Sequence, residues 1–242
     1  MKNVESVKSS VAFERPLVTV DLVIFAISED SLQVLLIKRP EGKVDPFPGR
    51  WALPGGFIDV DKDQSLEDCA VRKLREKTGV VAPYLEQLGS WGRVDRDPRG
   101  WSVTQAYFAL IARVPAQTIQ VPAGSVQSSW ITVADAQKKR LAFDHVKILD
   151  VAVNRLRSKV EYTSLPAFLL EEPFTLPTLQ KSYEVVLNRT VDKSAFRKRM
   201  LDANFLQETG MIDGSVGRMA MGYKMRDRTR AVAFPRMFKA SE

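Results

Sequence analysis

The 242-residue sequence contains one cysteine, one histidine and no long hydrophobic run. With a single cysteine, Cys69, the chain has no intramolecular disulfide, and zinc sites built from four cysteines or from two cysteines and two histidines are impossible. Apolar runs such as residues 22–27 are far shorter than the ~20 residues that span a bilayer. The first ten residues contain no apolar segment typical of a secretory signal peptide. We therefore expect a protein of the reducing cytoplasm with no membrane partner.

The basic residues are unevenly distributed. Lys and Arg outnumber Asp and Glu by 36 to 29, which gives a net charge of +7. Residues 189–199 carry five basic residues against one acid, and residues 217–239 carry seven against one. Clusters of this kind indicate a polyanion partner such as nucleic acid, although they would also serve solubility alone. The length and the 45% hydrophobic content predict one larger or two modest globular domains.

The first 160 residues alternate between strand and helix patterns. Two β-branched apolar runs, residues 17–27 and 32–38, predict a strand pair. Apolar residues at three- and four-residue spacing follow Ser65, a candidate N-cap, and end at Gly79. Further strands are expected at 85–93 and 102–112 around a charged loop at 95–100, a short helix at 133–139, and an amphipathic helix at 144–160 that could link two domains.

After residue 162 the pattern changes to short helices and a hairpin. A short helix is expected at 163–171. Thr175 is a candidate cap for a helix with Pro177 in its first turn, and Asp192 for a second helix. Two strand-like segments, 206–209 and 219–225, flank a glycine-rich turn at 210–217. This is the element order of a winged helix-turn-helix, in which we expect Met211, Met219, Met221 and Met225 to serve packing.

Residues 53–80, LPGGFIDVDKDQSLEDCAVRKLREKTGV, resemble the Nudix box. The resemblance covers about the first 150 residues and implies an α/β/α sandwich. In active Nudix members, glutamates of the box helix hold Mg²⁺, which activates water against a diphosphate. Aligned on Arg72, three of those four positions are Gln64, Lys73 and Lys77, so only Glu76 is acidic.

The two lysines change the chemistry expected of this site. Positions 73, 76 and 77 share one helix face. Two ammonium groups repel a hard divalent cation, yet a lysine can contact a diphosphate without activating water. We therefore expect a site that binds a nucleotide diphosphate, with no catalytic residue and no metal. Two alternatives are a vestigial site with solvated lysines and a metal held by Asp59, Asp61, Asp63, Asp95 or Asp97.

The loop RVDRDPRGW at 93–101 resembles the RDPRG loop of Nudix members that recognise ADP-ribose. Arginines in such a loop suit bidentate contacts with diphosphate or ribose oxygens, although a self-paired charged loop is the alternative. Cys69 is expected to be an inert core thiol, and His145 a capping or surface residue. The candidate ligand-binding residues are Arg39, Gly55, Gly56, Phe57, Lys73, Glu76, Lys77, Arg93, Asp97 and Arg99.

Residues 174–223 resemble the C-terminal domain of NrtR-type regulators, which are Nudix-related repressors of NAD-metabolism genes. In that family a Nudix-like sensor binds ADP-ribose, and a winged helix-turn-helix binds operator DNA as a dimer. The second helix of such a motif enters the major groove. We expect Arg197 or Lys193 to read bases and Lys198 and Arg199 to contact phosphate. The candidate DNA-binding residues are Lys193, Ser194, Arg197, Lys198, Arg199 and Arg218.

The sequence thus predicts a mixed α/β protein of two domains. Residues 1–150 would form a Nudix-like sensor and residues 161–242 a winged helix-turn-helix, with the helix at 144–160 linking them. The resemblance implies a homodimeric repressor of NAD-metabolism genes that binds double-stranded operator DNA and responds to ADP-ribose or a related nucleotide, with no required cofactor. The alternatives are an active ADP-ribose or nucleoside-diphosphate-sugar pyrophosphatase with an appended interaction domain, and a Nudix fold that serves only as an interaction scaffold.

Overall fold

The computed structural model describes residues 15–42, 44–79, 84–112, 127–214 and 218–235. Strands alternate with helices in its N-terminal part, and helices precede a small sheet in its C-terminal part. The strands are β1 Leu17–Ser28, β2 Ser31–Lys38, β3 Trp51–Ala52, β4 Gly55–Phe57, β5 Tyr84–Asp97, β6 Gly100–Leu110, β7 Ser128–Thr132, β8 Phe174–Thr175, β9 Leu206–Asp213 and β10 Met219–Met225. The helices are α1 Leu66–Thr78, α2 Val133–Lys138, α3 His145–Val160, α4 Leu176–Leu187 and α5 Lys193–Asp202, and a 3-10 helix spans Leu165–Leu169.

Strand β1 forms the centre of a seven-stranded mixed sheet. It runs parallel to β6 on one side and antiparallel to β2 and β4 on the other. Residues 22–25 of β1 are fully buried because helices cover both faces of the sheet. Alternate β1 side chains, such as Leu22 and Ile24, pack with the buried residues of α1, whereas Val23 and Phe25 pack with those of α3. The expected α/β/α sandwich is confirmed.

Helix α1 has the limits that its sequence predicts. The Ser65 hydroxyl accepts a hydrogen bond from the backbone N–H of Asp68, and Gly79 ends the helix with a left-handed φ of 70°. Cys69, Ala70 and Leu74 are buried against the sheet. Burial raises the pKa of the Cys69 thiol to about 11, which agrees with the expected inert core thiol.

The C-terminal part has the predicted helix–helix–hairpin order. Thr175 caps α4 through the N–H of Thr178, and Asp192 caps α5 through the N–H of Ala195. Asn188 ends α4 in a left-handed conformation, with φ of 55°. Strands β8, β10 and β9 form a three-stranded sheet, in that order.

One buried hydrophobic cluster extends through both parts. It includes Phe25 of β1, Leu149 and Leu156 of α3, Tyr183 of α4 and Phe196 of α5. Residues 231–235 also return to the end of α3, where the N–H of Phe234 bonds the carbonyl of Tyr162 at 2.6 Å. The two parts are therefore packed together through α3.

Several boundaries differ from the sequence predictions. The loop expected at 95–100 is a two-residue turn, because β5 and β6 pair as far as Asp97 and Gly100, whose φ of 147° suits glycine. Strand β9 extends to Asp213, into the expected turn, of which residues 215–217 lie outside the described residues. The packing role predicted for Met211 and Met219 is wrong, since they are 55% and 57% exposed.

Among the described residues, no helix is both long enough and apolar enough to cross a membrane.

Candidate ligand cavity and nucleic-acid interface

A cavity of about 150 Å³ opens where β1, β4, the β5–β6 turn and the start of α3 meet. Strand β1 contributes Thr19 and Asp21, which are two residues apart and so point to the same side of the sheet. The remaining lining residues are Ile37, Arg39, Leu53, Gly55, Gly56, Phe57, Arg96, Asp97, Arg99, Phe143 and His145.

Buried charged groups form the floor of this cavity. Arg96 Nη2 donates to Asp21 Oδ2 at 2.9 Å, and Arg96 Nε lies 2.9 Å from Asp144 Oδ1. The side chains of Arg96 and Asp21 are only 3% and 8% exposed. Burial by itself would raise the pKa of Asp21, but His145 and the Arg96 guanidinium outweigh it and lower that pKa to about 2. Asp21 is therefore ionised at neutral pH and fixes the position of Arg96.

His145 is part of this floor, so the expectation of a capping or surface role is wrong. It is 2% exposed, and its Nδ1 accepts a hydrogen bond from the N–H of Leu53 at 2.9 Å. The ring proton is consequently on Nε2, which lies 3.5 Å from Asp21 Oδ2. His145 thus ties the first residue of α3 to the strand and loop that carry the cavity.

Two further arginines lie at the cavity wall in bidentate pairs with carboxylates. Arg39 bonds both oxygens of Asp45 at 2.6 and 2.7 Å. Arg99 bonds both oxygens of Asp97 at 3.0 and 2.7 Å, and its guanidinium lies 5.2 Å from the ring centroid of Phe57. These pairs hold the guanidinium groups in fixed orientations, which is the arrangement that suits recognition of phosphate or ribose oxygens.

Helix α1, which is the helix of the Nudix-box segment, carries a network of ion pairs beside the cavity. Arg72 bonds both oxygens of Asp63, at 2.7 and 2.6 Å, and its Nη1 bonds Glu76 at 2.9 Å. Lys73 Nζ lies 3.6 Å from the other oxygen of Glu76. Burial opposes ionisation of Glu76, but Arg72 and Lys73 hold its pKa below the ordinary value. The Glu76 carboxylate is therefore shared by two cations.

The candidate ligand-binding residues divide into two groups. Arg39, Gly55, Gly56, Phe57, Asp97 and Arg99 line the cavity. Lys73 lies just outside it, where a Cβ placed on Gly56 would meet Lys73 Nζ at 3.3 Å. Glu76 and Lys77 follow on the same helix, and Arg93 is a solvent-exposed partner of Asp95. The roles of all ten residues stay predictions.

Sequence reasoning missed Asp21, Arg96, Asp144 and Phe143 as parts of the cavity region. A lone aspartate in an apolar strand was the available signal for Asp21, because a buried carboxylate requires a partner. For Arg96 the sequence carried no such signal, because the loop at 93–101 contains three arginines and the sequence does not show which of them points inward. Arg96 lies where the register between β5 and β6 is interrupted, between Arg93 and Asp97, and its side chain is buried whereas that of Arg93 is exposed.

The second helix of the winged motif presents a basic face. In α5, Phe196 and Met200 are buried, and the Phe196 ring packs edge-on against Tyr183 at 5.2 Å between centroids. This packing fixes the rotation of the helix and leaves the opposite side in solvent. The exposed residues of that side include Lys193, Ser194, Arg197 and Lys198.

Arg199 and Arg218 have different surroundings. Arg199 turns toward the protein, where its Nη2 donates to the Glu161 carbonyl at 3.3 Å and its guanidinium lies 4.9 Å from the Phe234 ring centroid. Arg218 is exposed immediately before β10, on the hairpin that forms the wing. Arg218 is therefore exposed like Lys193, Arg197 and Lys198, whereas Arg199 is partly buried against the protein.

Comparison with known proteins finds two family models. The NUDIX domain matches residues 17–151, and the NrtR DNA-binding winged helix domain matches residues 166–225. The chain is 45% identical to the ADPR responsive transcriptional repressor NtrR of Acinetobacter baylyi over 94% of this chain and 89% of that protein.

Two solved structures of Shewanella oneidensis NrtR are also similar. The complex with a 27mer DNA matches with a TM-score of 0.82 and 42% identity, covering 92% of this chain and 99% of that one. The Nudix domain complexed with ADP ribose matches with a TM-score of 0.53 and 46% identity, covering 60% and 90% of the two chains.

Gly55 provides a test of how closely the cavity wall approaches Asp21. A Cβ at Gly55 would lie 2.2 Å from Asp21 Oδ1 and 2.5 Å from the carbonyl oxygen of Val20, which is backbone and cannot turn away. We expect Gly55→Ala to lower the free energy of unfolding by about 1–3 kcal/mol, as measured by urea denaturation. Gly42→Ala is the control, because no described atom lies within 4 Å of a Cβ there. Equal stability of the two variants would contradict the geometry.

Proposed function

This chain belongs to the NrtR family of Nudix-related transcriptional regulators, and we propose that it represses NAD-metabolism genes by binding operator DNA. ADP-ribose, or a related nucleotide, is the effector that releases the protein from the operator DNA. The observation that carries this proposal is the joining of a Nudix cavity to a winged motif with an exposed basic helix. The 45% identity to a repressor across both parts supports it.

The cavity is large enough to hold only part of the effector nucleotide. Its volume of about 150 Å³ is below the roughly 300 Å³ at which ordinary ligand pockets begin. A nucleotide diphosphate would thus place one end in the cavity and continue over Phe57 toward Lys73. Arg39, Arg96 and Arg99 supply the guanidinium groups for its anionic oxygens, and Lys73 and Lys77 supply ammonium groups as point charges.

The residues of the box helix do not fit the Mg²⁺ that active Nudix enzymes use. Magnesium requires several oxygen ligands in near-octahedral geometry. Glu76 is instead held by Arg72 and Lys73, and Asp63 is held by Arg72. Among the described residues, no cluster of three or more acidic, histidine or cysteine side chains is placed to hold a metal. We infer that the domain binds its nucleotide without hydrolysing it and requires no cofactor.

The winged motif supplies the DNA contacts. Helix α5 would enter the major groove, with Arg197 or Lys193 at base edges and Lys198 at phosphate. Ser194 would contact DNA from the same end of α5, and Arg218 would contact the DNA backbone from the wing. Arg199, which packs on Phe234, would orient α5 in place of the phosphate contact expected from sequence.

The domain arrangement follows the same division. Residues 1–150 would sense the nucleotide, residues 161–242 would bind DNA, and α3 would link them. A homodimer would match a palindromic operator, because each half-site needs one recognition helix. A repressor of this kind acts in the cytoplasm.

The central test measures operator binding with and without the effector. Full-length protein should bind a DNA fragment from upstream of its own gene, and the binding should weaken steeply as salt rises because phosphate contacts dominate. ADP-ribose should weaken it further, by about 5–150-fold, as the typical range of allosteric coupling suggests. Fluorescence anisotropy gives both values. ADP-ribose that binds the protein without changing DNA affinity would contradict the proposal.

A second test asks whether the nucleotide is cleaved. Incubation with ADP-ribose and Mg²⁺ should release no AMP, because the box carboxylate is neutralised by two cations. Chromatographic separation of the nucleotides is the measurement. Robust turnover that Glu76→Gln abolishes would instead favour the pyrophosphatase alternative.

A third test separates base reading from phosphate contact within α5. Arg197→Ala should lose about 1–3 kcal/mol of preference for operator over random DNA, because arginine reads guanine through a bidentate contact. Lys198→Ala, the matched control one residue away, should weaken binding to both DNAs alike. It should also reduce the slope of log affinity against log salt concentration by about one. Similar profiles for the two variants would refute this assignment of roles.

A further inference from the structure

Asp144 occupies the N-cap position of α3 but does not cap the helix. Aspartate at this position ordinarily accepts a hydrogen bond from the first turn. Asp192 does so at the start of α5, whereas Asp144 makes no such bond. Its Oδ1 instead lies 2.9 Å from Nε of Arg96, in the floor of the cavity.

The contact between Asp144 and Arg96 leaves both groups poorly satisfied. Although Nε and Oδ1 are close, they lack hydrogen-bond geometry, and among the described residues neither buried atom has a hydrogen-bond partner. The other side of Arg96 is fixed, because Nη2 bonds Asp21. A buried donor and a buried acceptor that lack hydrogen bonds are each stabilised when a well-oriented partner becomes available.

The residue before Asp144 is also held in an unusual conformation. Phe143 has a φ of 51°, in the left-handed region that a bulky side chain rarely occupies. Its ring packs against Phe47 at 4.6 Å and His145 at 5.1 Å, with Arg39 and Arg96 at 4.9 and 5.5 Å from its centroid. The turn into α3 is thus in contact with three groups that line the cavity, Arg39, Arg96 and His145.

We propose that Asp144 is a two-position switch between the cavity and helix α3. In one position its carboxylate holds Arg96, as in this structure. In the other, an anionic diphosphate oxygen of the nucleotide takes Arg96 Nε, and Asp144 turns to the N–H of Val146, the second residue of α3, because the N–H groups of His145 and Lys147 already donate to the carbonyls of Ala142 and Asp144. Guanidinium groups bind phosphate oxygens strongly, and a freed aspartate is stabilised at a helix N-terminus. This inference rests on the proposed function.

Helix α3 connects this switch to the DNA-binding part. Its sixteen residues span about 24 Å. At its far end, Glu161 accepts two hydrogen bonds from Arg189 at 2.9 Å, and its carbonyl accepts one from Arg199 of α5. A change at the start of α3 therefore reaches the α4–α5 segment through direct contacts. A two-state element that both ligands bias is what coupling between distant sites requires.

The test compares two substitutions at position 144 in full-length protein. Asp144→Asn keeps the capping oxygen and loses the charge that holds Arg96, whereas Asp144→Ala loses both. ADP-ribose affinity is measured by calorimetry, and operator affinity by anisotropy with and without ADP-ribose. Asp150→Asn is the control, since that aspartate lies on α3 away from the cavity and bonds Gln137.

Asp144→Asn should bind ADP-ribose several-fold more tightly, because the competitor for Arg96 is weakened. It should also bind operator more weakly without ADP-ribose, and the further effect of ADP-ribose should fall toward none. Asp144→Ala should also bind ADP-ribose more tightly but retain operator affinity, since it has no cap to form. Asp150→Asn should behave like the unaltered protein. If Asp144→Asn does not fold, Asp144→Ser, which also caps without charge, should give the same result.

Weaker ADP-ribose binding with a retained DNA response in Asp144→Asn would overturn the switch and leave a purely structural ion pair. Identical behaviour of Asp144→Asn and Asp144→Ala would overturn the capping step. If the unaltered protein binds ADP-ribose and its operator affinity does not change, the proposed function itself fails, which is a distinct outcome.

Discussion

The buried pair of Asp21 and Arg96 is the interaction on which the cavity depends. A carboxylate inside a central strand is costly to bury unless a cation compensates it. Arg96 provides that cation from the end of β5, and His145 adds a contact from α3. The single charged residue of β1 thereby fixes a turn, a helix start and a strand at one point. Because Gly55 leaves room for Asp21, the β4 backbone closes the same site.

The fold of the box helix α1 does not depend on the charges of its exposed face. The helix is formed by its caps and by apolar residues that face the sheet, and neither depends on the acids of the opposite face. Lys73 and Lys77 therefore do not disturb the fold, and they place positive charge on that exposed face. Arg72 then links Asp63 and Glu76 in a network that competes with any divalent cation for both carboxylates.

The shared hydrophobic cluster determines how the two parts can communicate. With separate cores and a flexible linker, a nucleotide would change only the range of positions available to the DNA-binding part. Here α3 is buried against the sheet and against α4, and its end is held by Arg189 and Arg199. A rearrangement at the start of α3 would therefore act on α4 and α5 through packed contacts, which favour discrete arrangements over continuous deformation.

The sequence by itself determined the order of the longer helices and strands, the caps at Ser65, Thr175 and Asp192, and the exposed basic face of α5, but not the short strands β3, β4, β7 and β8. These features are local, because a helix limit or an amphipathic pattern depends on residues within one or two turns. Only the tertiary structure decided that His145 is buried, that Arg96 points inward while Arg93 does not, and that Asp144 contacts an arginine in place of its own helix. Each of those outcomes depends on contacts between residues that are 48 to 124 positions apart in the sequence, namely Asp21, Leu53, Arg96, Asp144 and His145. No periodicity encodes such distances, since the direction of a side chain is set by strand register and by the charge that meets it.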